Sequence, residues 1–141
     1  MNLDKEKPIE EAEFSKLMRP LGPFERRPEL AIGFSGGPDS TGLLVLANRW
    51  VKRQNGVIFA LTVDHGLRDD SLAEAKIAQK NIKALGVVGH ILPWVGPKPT
   101  SGVQNAAREA RFAILSSWCY RRGILHLLLA HHEDDQAAVT Y

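Results

Sequence analysis

The chain has a single cysteine, Cys119, among its 141 residues. That excludes a disulfide framework and a cysteine-built zinc site, and it suits a reducing cytosol. No apolar run comes near the roughly 20 residues that a membrane-crossing helix needs; the longest is "ILHLLLA" at 124–130. The first residues, "MNLDKEKPIEEAEF", are charged and lack the apolar stretch of a signal peptide. A cytoplasmic protein without membrane contact is therefore expected. Charge of one sign is also scarce: the formal net charge is +2, which does not suggest a nucleic-acid protein and does not exclude one. Internal repeats and low-complexity tracts are missing. What is there is ordinary for a soluble globular protein, with 44% hydrophobic and 24% charged residues. At 15.6 kDa the chain can bury one core.

Apolar runs and helical periodicities alternate along it. Residues 8–20 carry Ile9, Ala12, Leu17 and Met18 among charges, the pattern of a short helix, and "LGPFERRPEL" follows as a proline-rich linker. "ELAIGF" (29–34) reads as a buried strand. From Ser40 to Gln54, Leu43, Leu44, Ala47, Trp50 and Val51 recur at helical spacing, and "NG" stops the helix. "VIFALTV" (57–63) is a second strand. Asp69, Asp70 and Ser71 offer an N-cap to a helix that ends at Gly86, a C′ glycine. "VVGHILPW" is a third strand, and a long helix spans about 103–122, stopped by Gly123. "ILHLLLA" is a fourth strand, and "HHEDDQAAVTY" reads as the start of another helix. Strands with continuous apolar character, alternating with amphipathic helices, predict an α/β fold: a Rossmann-like parallel sheet with helices on both faces. Residues 1–28 form an N-terminal helix and linker, and 29–141 the domain itself. In such a sheet ligands bind beyond the carboxyl ends of the strands, at the switch point.

The polar residues concentrate at those ends. "SGGPDS" (35–40) follows the first strand and opens the next helix. Unpaired N–H groups and the positive end of the helix dipole suit a phosphate there. Gly36 and Gly37 allow close approach of backbone and positive φ, and Ser35 and Ser40 add hydroxyls. Asp39 would repel phosphate unless a cation intervenes, which points to magnesium bridging carboxylate and phosphate oxygens. The competing reading is a plain Gly-Gly turn with Ser40 as N-cap. Against it, five specified residues match by chance only on the order of once in a million positions. Pro38 removes one N–H and biases Gly37 away from the α region. The loop is not a Walker A motif, since no "GK[ST]" follows, and it lacks the third glycine of the dinucleotide fingerprint.

"SGGPDS" resembles the pyrophosphate-binding loop of the N-type ATP pyrophosphatases, or PP-loop proteins. With "VDHGLR" (63–68), "QNAAREARF" (104–112) and "LAHHEDDQA" (129–137), the chain from about residue 30 onward resembles the N-terminal domain of the tRNA(Ile)-lysidine synthetases. The resemblance implies an enzyme that cleaves ATP to AMP and pyrophosphate and adenylates the wobble cytidine of tRNA(Ile), after which lysine displaces AMP. ATP and Mg2+ are the implied cofactors; tRNA(Ile), lysine and ATP are the implied partners. ATP would contact Ser35, Gly36, Gly37, Asp39 and Ser40, with magnesium at Asp39, and the adenosine would lie near Thr62, Val63, Asp64 and His65. Read for themselves, the latter residues are equally a polar turn with Gly66 at positive φ. Gln104, Arg108 and Arg111 share one helix face; the arginines either grip phosphate during nucleotidyl transfer or merely line a solvated face. His131 and Asp135, four apart, would form a histidine–carboxylate pair beside the activated base. Glu133 and Asp134 as helix caps, or a histidine–carboxylate zinc site, are the alternatives there. The catalytic set implied is Asp39, Arg108, Arg111, His131 and Asp135.

Two departures from the family pattern stand out. Ala138 occupies the position of a glutamate in "DDQAET", and the chain stops at Tyr141, before the fifth strand that the family's sheet would add. A truncated chain with an exposed sheet edge, prone to pair as a homodimer, is the expectation. Two other functions compete: a PP-loop tRNA thiolase, disfavoured by the lone cysteine, and a non-catalytic ATP-binding fragment.

Overall fold

The computed structural model describes residues 11–130 and the backbone of 137–140. Its elements are α1 (Glu11–Met18), a 3-10 turn (Arg19–Leu21), β1 (Glu29–Gly33), α2 (Pro38–Lys52), β2 (Val57–Asp64), α3 (Ser71–Ala84), β3 (Val88–Pro93), α4 (Val103–Arg122), β4 (His126–Leu129) and β5 (Ala137–Thr140). They build one sheet in the order β3-β2-β1-β4-β5. The first four strands are parallel, with Gly33 in register with Leu61 on one side and Leu129 on the other.

The layers follow from the handedness of the crossovers. The chain steps from β1 to β2 to β3 in one direction, and right-handed connections keep α2 and α3 on one face. It then returns past β1 to β4, so α4 falls on the other face. Side chains alternate accordingly. Leu30, Ile32, Ile58 and Ala60 pack with Leu44, Val51 and Ile82 of α2 and α3. Ala31, Phe59, Leu61 and Leu127 pack with Leu115, Trp118 and Cys119 of α4. Helix α1 joins the first of these cores through Phe14 and Met18, both almost fully buried. The strand order reverses between β1 and β4, which makes the carboxyl ends of these strands the switch point of the sheet.

Local chemistry sets the boundaries. Gly37 is extended (φ −74°, ψ 168°), as the residue before a proline prefers. Helix α2 therefore starts at Pro38, two residues earlier than the periodicity from Ser40 predicts. Asn55 at φ 58° ends it. Asp70 occupies the N-cap of α3 without a capping hydrogen bond from its side chain, which lies 3.7 Å from Arg68 Nε instead. Gly86 (φ 75°) and Gly123 (φ 71°) take the left-handed conformation after α3 and α4.

The end of the chain differs from expectation. Residues 137–140 do not continue a helix but form β5, antiparallel to β4, with Leu128 opposite Ala138. Parallel strand β4 would otherwise leave a row of unpaired backbone groups, and four residues in extended conformation satisfy them at once, whereas a short helix must first bear the cost of nucleation. The edge predicted at β4 is thus covered, and β5 becomes the edge strand of the sheet.

Candidate functional site

The glycine loop is organised from within by its two serines. Ser40, 3% exposed, accepts hydrogen bonds at its Oγ from the N–H groups of Ser35 (3.3 Å) and Gly36 (3.2 Å) and donates to the Gly37 carbonyl (3.2 Å). The Ser35 hydroxyl lies 3.1 Å from that of Ser40 and accepts from the Gly37 N–H at 3.4 Å. Thr41 Oγ1 also donates to the Gly37 carbonyl, at 2.9 Å. Gly36 holds φ 91°, a conformation other residues rarely adopt. The loop is thus curled over Ser40 with Ser35, Gly36 and Asp39 exposed. It meets solvent where the first N–H groups of α2 lack intrahelical partners. The Asp39 carboxylate forms no ion pair among the described residues, and no group of three or more metal-binding side chains occurs among them. One exposed carboxylate beside a glycine loop fits magnesium, which usually keeps waters and would take its other oxygens from a bound phosphate.

The end of β2 is equally self-contained. Asp64 Oδ1 accepts from the Ser71 hydroxyl at 2.6 Å and from the Gly66 N–H at 3.2 Å. Gly66 has φ 65°, as a turn there requires. His65 accepts from the Leu67 N–H at Nδ1 (3.0 Å), so a neutral imidazole carries its proton on Nε2. Val63 is half-buried and packs against the core beneath α4. Arg68 is occupied by Glu74 at 2.9 Å. Lys98, which the sequence reading passed over, donates to the carbonyls of Trp94 (2.7 Å) and Gly96 (3.1 Å) and holds the β3–α4 loop beside Gly66.

The two arginines of α4 have separate fates. Arg108 is exposed. Arg111 is half-buried and runs to the end of β1. A Cβ built on Gly33 would stand 2.7 Å from its Nη2, 2.9 Å from Leu129 Cδ2 and 3.1 Å from Leu115 Cδ1. Burial lowers the pKa of Arg111 from its ordinary value, but a guanidinium starts so high that it stays charged. It has no hydrogen-bond or ion-pair partner among the described residues. The end of β1 therefore has an uncompensated cation beside Gly33, an arrangement that attracts an anion. Gly33 was also missed; its signal was only a glycine closing an apolar strand, which many strands show. His131 and Asp135 lie outside the described residues, although β4, the strand preceding them, does neighbour β1.

Among known proteins, the sequence profile of the PP-loop domain matches residues 7–140. A tRNA(Ile)-lysidine synthase of Orientia tsutsugamushi is 40% identical over 128 residues, which are 89% of this chain and 28% of the relative. One from Bradyrhizobium sp. is 40% identical over 132 residues, covering 92% of this chain and 36% of the relative. One from Bradyrhizobium diazoefficiens is 38% identical over 139 residues, 97% of this chain and 38% of the relative. The chain thus spans between 28% and 38% of the length of these relatives. In fold it is similar to the U34-tRNA thiolase NcsA from Methanococcus maripaludis, solved with its [4Fe-4S] cluster. The TM-score is 0.72 at 22% identity, over 86% of this chain and 45% of the thiolase.

Proposed function

The chain belongs to the PP-loop domain family, and from that premise we propose that it is the nucleotide-binding part of a tRNA(Ile)-lysidine synthase. In this reading ATP lies across the carboxyl ends of the strands with its phosphates on Gly36, Gly37, Asp39 and Ser40. Its adenosine lies toward Thr62, Val63, Asp64 and His65. The wobble cytidine of tRNA(Ile) takes the adenylate, pyrophosphate leaves, and lysine displaces AMP. The observation that supports the nucleotide reading is the unpaired Arg111 guanidinium beside Gly33, two residues before the exposed start of the glycine loop at Ser35 and Gly36. Fixed positive charge at that point stabilises the negative charge that grows on the departing pyrophosphate. In this reading Arg108, exposed on the same helix, meets the incoming phosphate. When bound, magnesium held by Asp39 and phosphate oxygens would neutralise triphosphate charge. His131 and Asp135 belong to this reading as the pair that handles the activated base.

The lysidine synthase assignment rests on the relatives near 40% identity. A thiolase that uses a cysteine of this chain is disfavoured: Cys119 is fully buried and its thiol is pushed up to about 11 by burial, so it is not a thiolate at neutral pH. ATP binding without catalysis is the second reading, favoured by Ala138, which can neither bind a metal nor take a proton. Calorimetry in magnesium tests the common core of both. Asp39→Ala is expected to weaken ATP binding and to flatten its magnesium dependence; unchanged affinity and dependence would sink the assignment. Pyrophosphate release with ATP, lysine and tRNA(Ile) then separates enzyme from binder.

A further inference from the structure

We propose that Gln79 is a positioning residue that fixes the Thr62 hydroxyl as a hydrogen-bond donor to the nucleoside half of bound ATP. The inference rests on the nucleotide reading above and adds to it a defined polarity. Gln79, on α3, places Nε2 3.1 Å from Thr62 Oγ1 and 3.2 Å from the carbonyl oxygen of His90. The carbonyl of His90 carries no proton, so the amide must turn its amino group toward it. An amino group only donates; Thr62 Oγ1 therefore accepts. The hydroxyl proton of Thr62 is left over, and it meets no acceptor among the described residues. Thr62 is 6% exposed, so bulk water satisfies that proton poorly.

The seat of Gln79 is built into the sheet. Gly89 of β3 stands opposite Ala60, and a Cβ on it would collide with Oε1 of Gln79 and press on Ile82. A glycine inside a strand weakens that strand; here it leaves the slot that the amide fills. The donor lies under the glycine loop. By the register of Gly33 with Leu61, Thr62 is beside Phe34, the first residue after β1. Gly36 lies against Ala78, the residue before Gln79, with a built Cβ 3.9 Å from the Ala78 Cβ. A nucleotide whose phosphates sit on the loop after β1 brings its nucleoside half to the end of β2. The group that meets Thr62 there must be an acceptor: a ring nitrogen of adenine or a ribose oxygen.

The test is a binding series on the purified chain with ATP, its 1-, 3- and 7-deaza analogues, and its 2′- and 3′-deoxy analogues. For the parent, one analogue should bind about fivefold to tenfold more weakly than ATP, the usual effect of one lost neutral hydrogen bond. That analogue identifies the acceptor as ring nitrogen or ribose oxygen. Thr62→Val should bind ATP and that analogue equally, and Thr62→Ser should restore the difference. Gln79→Glu puts an acceptor against Thr62, captures its proton, and should behave like Thr62→Val, with no further loss in the double variant. Thermal melting follows the fold; should Gln79→Glu fail to fold, Thr62→Val, of the same shape, still decides. A parent that binds ATP with a flat analogue profile, or a Thr62→Val variant that loses affinity uniformly for every analogue, overturns the inference and leaves the nucleotide reading standing. A parent that binds no ATP overturns both.

Discussion

The hydrogen on Cα of Gly33 is what lets Arg111 reach the carboxyl end of β1. With any side chain there, the guanidinium and Leu129 would have to retreat, since both lie within 3 Å of where a Cβ would be. Gly33→Ala is therefore expected to lose about 1–3 kcal/mol of stability through overpacking and to weaken ATP binding more than the stability loss explains. Denaturant melts and calorimetry on one preparation check both parts. Arg111→Lys keeps the charge but not the fork of donors, so it should bind ATP about tenfold more weakly than the parent; equal affinity would place the phosphates elsewhere. Arg111 was legible in the sequence as an arginine on a helix face, but its burial was not. Helical spacing put Gln104, Arg108 and Arg111 together, while packing against the sheet leaves Arg111 half-buried and Arg108 in solvent.

Single elements carry the next level of consequence. Strand β4 begins at His126, a buried residue whose ring lies 4.4 Å from that of Phe24. Burial lowers the pKa of this imidazole, an effect that Glu25 partly opposes. The folded chain thus holds this proton less readily than the unfolded chain, in which histidine titrates near about 6.5. Below that value the unfolded state binds more protons, so stability present at pH 7 is lost as the pH falls toward 5. His126→Phe should remove this component: its stability should change less between pH 7 and 5 than the parent's in denaturant melts, whatever its absolute value. The opposite edge of β4 shows why the last element escaped the sequence reading. "AAVT" has no period long enough to separate strand from helix, and the deciding factor is an open edge supplied by residues 126–129.

At the scale of the whole molecule, the proposed function can be tested on tRNA itself. Its net charge of +2 supplies few phosphate contacts, and the relatives it matches are far longer. Binding of tRNA(Ile) to the isolated chain is expected no tighter than the non-specific range of roughly 10⁻⁴ to 10⁻⁶ M at physiological salt. Lysidine should not form from the chain alone, because holding the anticodon over ATP supplies an orientation effect of roughly 7–11 kcal/mol that a weakly bound tRNA forgoes. Nucleoside mass spectrometry after incubation with ATP, magnesium, lysine and tRNA(Ile) reads this directly; clear lysidine would show that the chain suffices.

By itself the sequence determined the alternation of strands and helices, the glycine loop, and the family. Each depends on neighbours in the chain: apolar periods of two distinct kinds, and a loop in which Ser35, Gly36, Gly37 and Ser40 follow one another closely. The tertiary structure alone decided which partners the side chains of those motifs meet. Asp64 turns to Ser71, Val63 goes under α4, Thr62 is held by Gln79 from seventeen residues away, and Arg111 fits only because Gly33 is bare. Such pairings join residues distant in sequence through sheet register and crossover hand. No local pattern records them, because they exist only once the strands have been laid side by side.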